Sequence, residues 1–331
     1  MKHLFYTICG LAFCFVISGC ASTDEADSVQ VAEVTRSVFY APFYAALAEG
    51  YFEEENIEVE LTTTWGGDKT MTSLLSGGAD VALVGSETSI YVAAQEAADP
   101  AINFAALTQT DGTFLVARED LSNFDWNDLN DSTFLGQRKG GMPQMVGEYV
   151  LKQKNIDLKN DLTLLQNVDF GNIPSAFASG TGDFVQLFEP QASTFEKEGI
   201  GKVIASFGAE SGLVPYTSFM AKESMLEKDP DLFVRFSKAL YKGQQLIQNQ
   251  SAEKTAEMIE SYFEDTDLDI LISSVERYKE QDSYASDPLL TEEAWQTLLD
   301  IMEEAGELPD RVPFDDLVDV DIAKKAMNEG G

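Results

Sequence analysis

A loop rich in glycine and cations is the segment best suited to hold an anion. Residues 136–142 read Gly-Gln-Arg-Lys-Gly-Gly-Met, and Pro143 then stands where a helix would begin. Glycine lets a backbone approach a ligand closely, and the first N–H groups of a helix carry partial positive charge. A carboxylate, sulfonate, phosphate or carbonyl-rich ring would suit this loop, and a solvated basic loop on an acidic protein is the alternative. The candidate ligand contacts here are Arg138, Gly140, Gly141 and Met142.

Aromatic residues stand where two predicted strands end. Tyr40 follows the first strand, and Trp65 follows the second and precedes paired glycines at Gly66 and Gly67. An aromatic ring could stack on a flat ligand. We therefore expect Tyr40, Trp65 and Gly66 to contact a ligand, with core packing or a plain turn as the alternative.

Hydroxyl, carboxyl and amide groups follow three further predicted strands. Ser86 could donate to a ligand or cap a helix, and Glu87 would favour a ligand with N–H donors or positive charge. Asn172 could pair with a ring amide, and Glu189 could accept a hydrogen bond from a ring N–H. Turn formation and helix capping are the alternatives. Two carboxylates in one site would repel nitrate or sulfate, so these residues favour a nitrogen heterocycle, with a sulfonate at Arg138 as the main alternative.

The N-terminus is typical of a secretory signal. A short basic start is followed by an uncharged apolar run over 4–17, which is too short to span a bilayer comfortably. The run ends in Ile-Ser-Gly-Cys, which resembles a bacterial lipobox. The sequence predicts a signal peptide over 1–19, lipidation at Cys20 and a flexible polar tether over 20–28, with a chance cysteine as the alternative.

Such cleavage would remove the single histidine, His3, and two of the three cysteines. The mature chain could then form no disulfide, Ser-His-Asp triad, Cys-His pair or histidine-ligated metal site. We predict no catalytic residue, no metal and no cofactor, although chemistry by carboxylates or lysine stays open. The formal net charge of −35 argues against a nucleic-acid partner and against electrostatic attraction to anionic lipid, which leaves the acyl chain as the membrane anchor.

Strand and helix signals alternate from residue 29 onward and predict an α/β protein with parallel sheets. The chain leaves a first unit near 108–113 and returns near 208–216. We therefore predict lobe 1 over 29–110 and 214–331, lobe 2 over 111–213, and a hinge of two strands. The mostly helical segment after Pro230 is expected to pack on lobe 1. A ligand cleft is expected between the lobes, at the carboxyl ends of the strands.

Two segments carry a resemblance to a known family. Residues 46–59 (ALAEGYFEEENIEV) and 74–82 (LLSGGADVA) resemble the substrate-binding lipoproteins of ABC importers in the nitrate, sulfonate, taurine and thiamine-pyrimidine-precursor group. The resemblance covers about 30–245. It implies a two-lobe type II periplasmic-binding-protein fold with a two-strand hinge and C-terminal helices. It further implies an extracytoplasmic, monomeric protein that hands a small molecule to a permease and ATPase complex.

Within that resemblance we favour a thiamine-precursor-like heterocycle, with riboflavin-like rings also open and an anion of the sulfonate, taurine or nitrate type as the alternative. Two other classes remain. One is a ligand-sensing ectodomain, which the sequence does not distinguish from a transport protein. The other is an enzyme, because a pyrimidine-synthesis enzyme shares this fold, but that enzyme relies on histidine and the mature chain would have none.

Overall fold

The computed structural model describes residues 26–121 and 123–330. The predicted signal peptide, Cys20 and the first part of the predicted tether lie outside these residues. The predicted end of the tether is corrected, because Asp27 and Ser28 already pair with Ile57 and Glu58 as the first residues of a strand.

The secondary structure alternates as the sequence predicts. The strands are β1 (Asp27–Glu33), β2 (Ile57–Thr63), β3 (Val81–Gly85), β4 (Ala101–Thr108), β5 (Thr113–Ala117), β6 (Thr133–Leu135), β7 (Thr163–Leu165), β8 (Phe184–Phe188), β9 (Lys202–Ser206) and β10 (Thr217–Lys222). The helices up to β10 are α1 (Ala41–Ala48), α2 (Tyr51–Glu54), α3 (Gly67–Ser76), α4 (Glu87–Ala93), α5 (Met142–Gln153), α6 (Ile173–Ala178), α7 (Gln191–Glu198) and α8 (Phe207–Ser211). The C-terminal helices are α9 (Glu223–Lys228), α10 (Pro230–Asn249), α11 (Ala252–Ile259), α12 (Leu268–Glu280), α13 (Glu292–Ala305), α14 (Phe314–Leu317) and α15 (Val320–Gly330).

The strands form two five-stranded sheets, in the orders β2-β1-β3-β10-β4 and β7-β6-β8-β5-β9. We call the body around the first sheet lobe 1 and that around the second lobe 2. Both sheets are mixed rather than parallel, because β10 runs antiparallel to β3 and β4, and β5 runs antiparallel to β8 and β9. The chain passes between the sheets after β4 and again before β10. Each of these connections brings a strand of the opposite direction into the sheet that it enters.

An aromatic cluster fixes α10 on lobe 1. The ring of Phe236 lies 4.9–6.4 Å, between centroids, from the rings of Phe43, Phe52, Phe104 and Phe219. These side chains are fully or almost fully buried. Large buried aromatic rings contribute strongly to core stability, so this cluster holds the helix against the sheet.

The expectation that all C-terminal helices pack on lobe 1 is only partly met. Helices α10 and α15 pack there, whereas α12 contacts α7 and α13 contacts α5, both in lobe 2. Lys197 Nζ lies 2.8 Å from Asp269 Oδ1 of α12, and Lys152 Nζ donates to the Glu304 carbonyl of α13. The segment after α11 therefore bridges both lobes. In residues 26–121 and 123–330, no helix is long and apolar enough to cross a membrane.

Candidate functional site

A cleft opens between the two lobes. Lobe 1 lines it with residues that follow β1 and β3 and with the start of β10. Lobe 2 lines it with residues 137–143 and with Phe170 and Phe188. Ligands of α/β proteins bind at such strand ends, so this cleft is the candidate site.

Glu87 joins the two lobes at the bottom of this cleft. It starts α4 in lobe 1, and its Oε1 accepts a hydrogen bond from the backbone N–H of Met142 in lobe 2, at 3.2 Å. Glu87 is 4% exposed, and its Oε2 has no hydrogen-bond partner among the residues that the structure describes. Burial raises the pKa of Glu87 to about 8, and the backbone N–H groups that it accepts from only partly oppose this rise. The carboxyl group is therefore mostly protonated at neutral pH and can both donate and accept a hydrogen bond.

Glycine at position 85 leaves room for this carboxyl group. A Cβ atom placed on Gly85 would lie 2.1 Å from Glu87 Oε2. Two non-bonded heavy atoms cannot approach so closely. Any residue larger than glycine at position 85 would therefore displace the Glu87 side chain.

Four aromatic residues line the cleft. Tyr40 and Tyr216 come from lobe 1, and both are buried. Phe170 and Phe188 come from lobe 2, with their ring centroids 6.0 Å apart. Such walls suit a planar apolar or heteroaromatic ligand.

Gln137 supplies a second unpaired polar atom. Its Nε2 donates to the Gln186 carbonyl at 2.7 Å, which fixes the orientation of the amide. Its Oε1 is buried without a partner in the described part of the chain. Buried polar atoms without partners are rare in proteins, so a ligand or water is expected to satisfy this oxygen.

Arg138 brings positive charge to the cleft, but carboxylates compensate it. Its Nη2 lies 3.1 Å from Asp68 Oδ1 of lobe 1, and its Nη1 lies 3.9 Å from Asp169 Oδ1 of lobe 2. Arg138 and Asp68 are both about half exposed. The neighbouring Lys139 is also exposed and lines the same cleft.

The structure brings most of the predicted contacts together, although their binding of a ligand stays a prediction. The residues found in the cleft lining are Tyr40, Gly66, Glu87, Arg138, Gly140, Gly141 and Met142. Trp65 and Asn172 line an adjoining hollow at the mouth, together with Phe170. Trp65 is 52% exposed, and its indole lies against Gly171 of the opposite lobe.

Two predicted contacts lie elsewhere and are corrected. Ser86 is fully buried and donates to Ser218 Oγ at 3.1 Å, because β10 lies directly beside β3 and covers it. Glu189 is also fully buried. Its Oε1 lies 2.6 Å from Arg277 Nη1, and both carboxylate oxygens accept hydrogen bonds from Ser193. Its carboxylate is therefore occupied within the protein and is not offered to a ligand.

Sequence reasoning missed several residues that line the cleft. Gln137 lies inside the glycine-rich loop over 136–142, and Tyr216 lies where the chain was predicted to return to lobe 1. The positions of these two residues in the sequence could therefore have indicated that they lie near the cleft. Asp68 was not among the predicted contacts. Its pairing with Arg138 depends on the approach of the two lobes, which no local pattern reveals.

The described ranges contain no group of three or more His, Cys, Asp or Glu side chains that could hold a metal ion. The polar groups of the cleft are instead isolated hydrogen-bonding atoms set among aromatic rings. This arrangement suits the binding of an organic molecule.

Two α/β lobes that meet at their strand ends around such a cleft define the periplasmic-binding-protein fold, which confirms the predicted fold class. The chain belongs to the NMT1/THI5-like family, whose model matches residues 38–254. This confirms the predicted resemblance. It is also similar to a Bacillus subtilis (strain 168) protein named "Putative binding protein YtlA", with 60% identity over 315 residues that cover 95% of this chain and 94% of that protein.

Solved structures share the fold at low sequence identity. The alkanesulfonate-binding protein SsuA from Xanthomonas axonopodis pv. citri, bound to MOPS, is 15% identical with a TM-score of 0.70, covering 89% of this chain and 98% of that one. The nitrate-binding protein NrtA from Synechocystis PCC 6803 is 14% identical with a TM-score of 0.70, covering 92% and 89%. A ligand-binding component of an ABC-type import system from Staphylococcus aureus, with zinc bound, is 15% identical with a TM-score of 0.70, covering 91% and 99%. At these identities the likeness shows the fold alone.

Proposed function

We propose that this protein is the extracytoplasmic solute-binding component of an ABC importer and that it captures a small, uncharged nitrogen heterocycle between its lobes. The observation that carries the ligand class is that Glu87 Oε2 and Gln137 Oε1, both of residues that line the cleft, are buried without a hydrogen-bond partner in the part of the chain that the structure describes. An amide oxygen accepts from an N–H group. A protonated carboxyl group can donate to a ring nitrogen and accept from an amino group. An aminopyrimidine edge offers these partners, and its ring could stack on the aromatic walls.

The backbone N–H groups of the loop before α5 already donate hydrogen bonds within the protein, which also favours a heterocycle over a simple anion. The N–H of Met142 already donates to Glu87, and the N–H of Gly140 donates to Gln144 Oε1 at 2.9 Å. Two of the donors that an oxyanion would need are thus occupied. An anion of the sulfonate, taurine or nitrate type remains the second candidate, because Arg138 and Lys139 stand at the same loop.

The importer role is supported by the names of similar proteins. The Bacillus subtilis relative is named as a binding protein, and the Staphylococcus aureus structure is named as part of an ABC-type import system. We therefore propose a permease and ATPase complex as the partner and a monomer as the working state. We propose no enzymatic activity.

Isothermal titration calorimetry on the lipid-free chain from Ala21 onward tests the ligand. We expect saturable binding of hydroxymethylpyrimidine, the pyrimidine precursor of thiamine, and no binding of ethanesulfonate or nitrate at the same concentrations. A Glu87→Leu variant should lose this binding. Tight ethanesulfonate binding without pyrimidine binding would replace the proposed ligand by the anion.

The anchor is proposed to be a lipid on Cys20, outside the described residues. Radiolabelled palmitate supplied to the host should label the wild-type chain and leave a Cys20→Ala variant unlabelled. Equal labelling of the two would contradict the anchor. A permease gene beside this one, and loss of hydroxymethylpyrimidine uptake when it is deleted, would support transport over sensing.

A further inference from the structure

We propose that Asp68 is a specificity determinant that keeps simple oxyanions out of the cleft by cancelling the charge of Arg138. This inference deepens the proposed function, because it explains how a cleft with an arginine could accept an uncharged ligand. It concerns the cleft already described and adds a role for a carboxylate that the sequence reasoning had not assigned.

The geometry places two carboxylates around one guanidinium group. Asp68 Oδ1 approaches Nη2 of Arg138 to 3.1 Å, and Asp169 Oδ1 approaches Nη1 to 3.9 Å. Both Arg138 and Asp68 line the cleft. An oxyanion at Arg138 would therefore lie close to at least one negative charge, and the repulsion would offset most of the attraction.

The backbone before α3 leaves the space that the Asp68 carboxylate occupies. Gly66 has a φ of +145°, and a Cβ atom there would lie 2.8 Å from Asp68 Oδ1. Trp65 has a φ of +60°, a left-handed conformation that bulky residues rarely adopt. These two unusual conformations place the start of α3 against the arginine of the opposite lobe.

Removing the charge of Asp68 should thus convert the loop into an anion site. Arg138 would keep only the more distant Asp169, and the adjacent Lys139 would add a second cation. A unit charge at about 6 Å changes anion affinity about three- to tenfold at low ionic strength. This gain should shrink as salt is added, because both members of the pair are half exposed.

The test measures ethanesulfonate and nitrate binding by calorimetry in low-salt buffer. Asp68→Asn should raise the affinity for both anions about three- to tenfold, and Asp169→Asn should raise it less. The matched control is Asp120→Asn, which breaks a similar exposed ion pair with Lys202, at 2.9 Å, outside the cleft. This control should leave anion affinity unchanged.

A second variant ties the gain to the arginine. Adding Arg138→Gln to Asp68→Asn should abolish the gained anion binding, while thermal unfolding checks that each variant is folded. Anion affinity that is the same in Asp68→Asn and wild type, or that rises equally in Asp120→Asn, would overturn the inference. So would a gain that survives Arg138→Gln. These outcomes do not depend on the binding of hydroxymethylpyrimidine by the wild-type protein, which tests the proposed function separately.

Discussion

The carboxyl group of Glu87 in lobe 1 accepts a hydrogen bond from the backbone N–H of Met142 in lobe 2, over 3.2 Å. The second oxygen of the same group is unpaired among the described residues and buried in the cleft. One side chain therefore both links the lobes and carries an unpaired polar atom in the lining of the cleft. Its protonation state is expected to affect both roles.

The first prediction concerns the pH dependence of stability. Burial raises the pKa of Glu87 to about 8 and that of Asp111 to about 6. A raised carboxyl pKa means that the folded state binds more protons than the unfolded state. The free energy of unfolding should therefore be highest near pH 4–5 and should fall as the pH rises through 6 and 8. Thermal midpoints measured from pH 5 to pH 9 check this trend.

The Glu87→Gln substitution isolates the Glu87 contribution. Glutamine cannot ionise, so the free energy of unfolding of the variant should not fall as Glu87 ionises. Between pH 5 and pH 9 the variant should therefore gain up to about a few kcal/mol relative to wild type. At pH 9 its stability should approach or exceed that of wild type. The matched control is Glu58→Gln at an exposed position of β2, which should follow the wild-type curve. Parallel curves for Glu87→Gln and wild type would contradict the assignment.

The second prediction concerns Gly85. The Gly85→Ala substitution places a Cβ atom into the space of Glu87 Oε2, so the carboxyl group must move. We expect hydroxymethylpyrimidine affinity to fall at least about tenfold, in line with the loss of one buried charged or polar contact. The control is Gly77→Ala, where the φ of +78° makes alanine unfavourable but the space is open. The control should lower stability and keep ligand affinity, and equal losses of affinity in both variants would contradict the prediction.

The third prediction uses Trp65 as a reporter of closure. Trp65 is 52% exposed at the mouth of the cleft, whereas Trp295 is fully buried. Binding of hydroxymethylpyrimidine should tighten the contact of Trp65 with the opposite lobe and shift tryptophan emission to shorter wavelength. Trp65→Phe should remove this shift, and Trp126→Phe should keep it. An emission shift that is lost in Trp126→Phe and kept in Trp65→Phe would contradict the prediction, because Trp65 would then not be the residue whose surroundings change on binding.

The fourth prediction separates Glu189 from the ligand site. Arg277→Met would leave the fully buried Glu189 carboxylate without its cation, so stability should fall by about 3 kcal/mol. Urea unfolding measures this loss. The control, Arg311→Met, breaks exposed pairs with Asp300 and Glu303 and should change stability little. A Glu189→Gln variant that folds but no longer binds hydroxymethylpyrimidine would return Glu189 to the site.

Much of the fold followed from local patterns. The continuous apolar run of Val81–Val84 is typical of a buried strand, and β3 lies there. Gly50 and Gly77 are of the type that ends helices, and both have positive φ at a helix end. The position of β10 did not follow from such a pattern. It lies between β3 and β4 in the sheet, although it comes more than one hundred residues later in the chain. That insertion is what removed Ser86 from the cleft.

The sequence by itself determined the residue inventory, the alternation of strands and helices, and the loops that end at the cleft. These are properties of short segments, set by apolar periodicity, by glycine and proline, and by the absence of histidine after His3. Only the tertiary structure decided which side chains are free to meet a ligand. Glu189 is bound by Arg277, 88 positions away, and Arg138 is paired with Asp68 of the other lobe, whereas one oxygen of Glu87 stays unpaired in the described structure. The physical reason is that a charge is compensated by opposite charges within a few ångströms of it in space. Folding sets these distances, and they are unrelated to the separation of the residues along the chain.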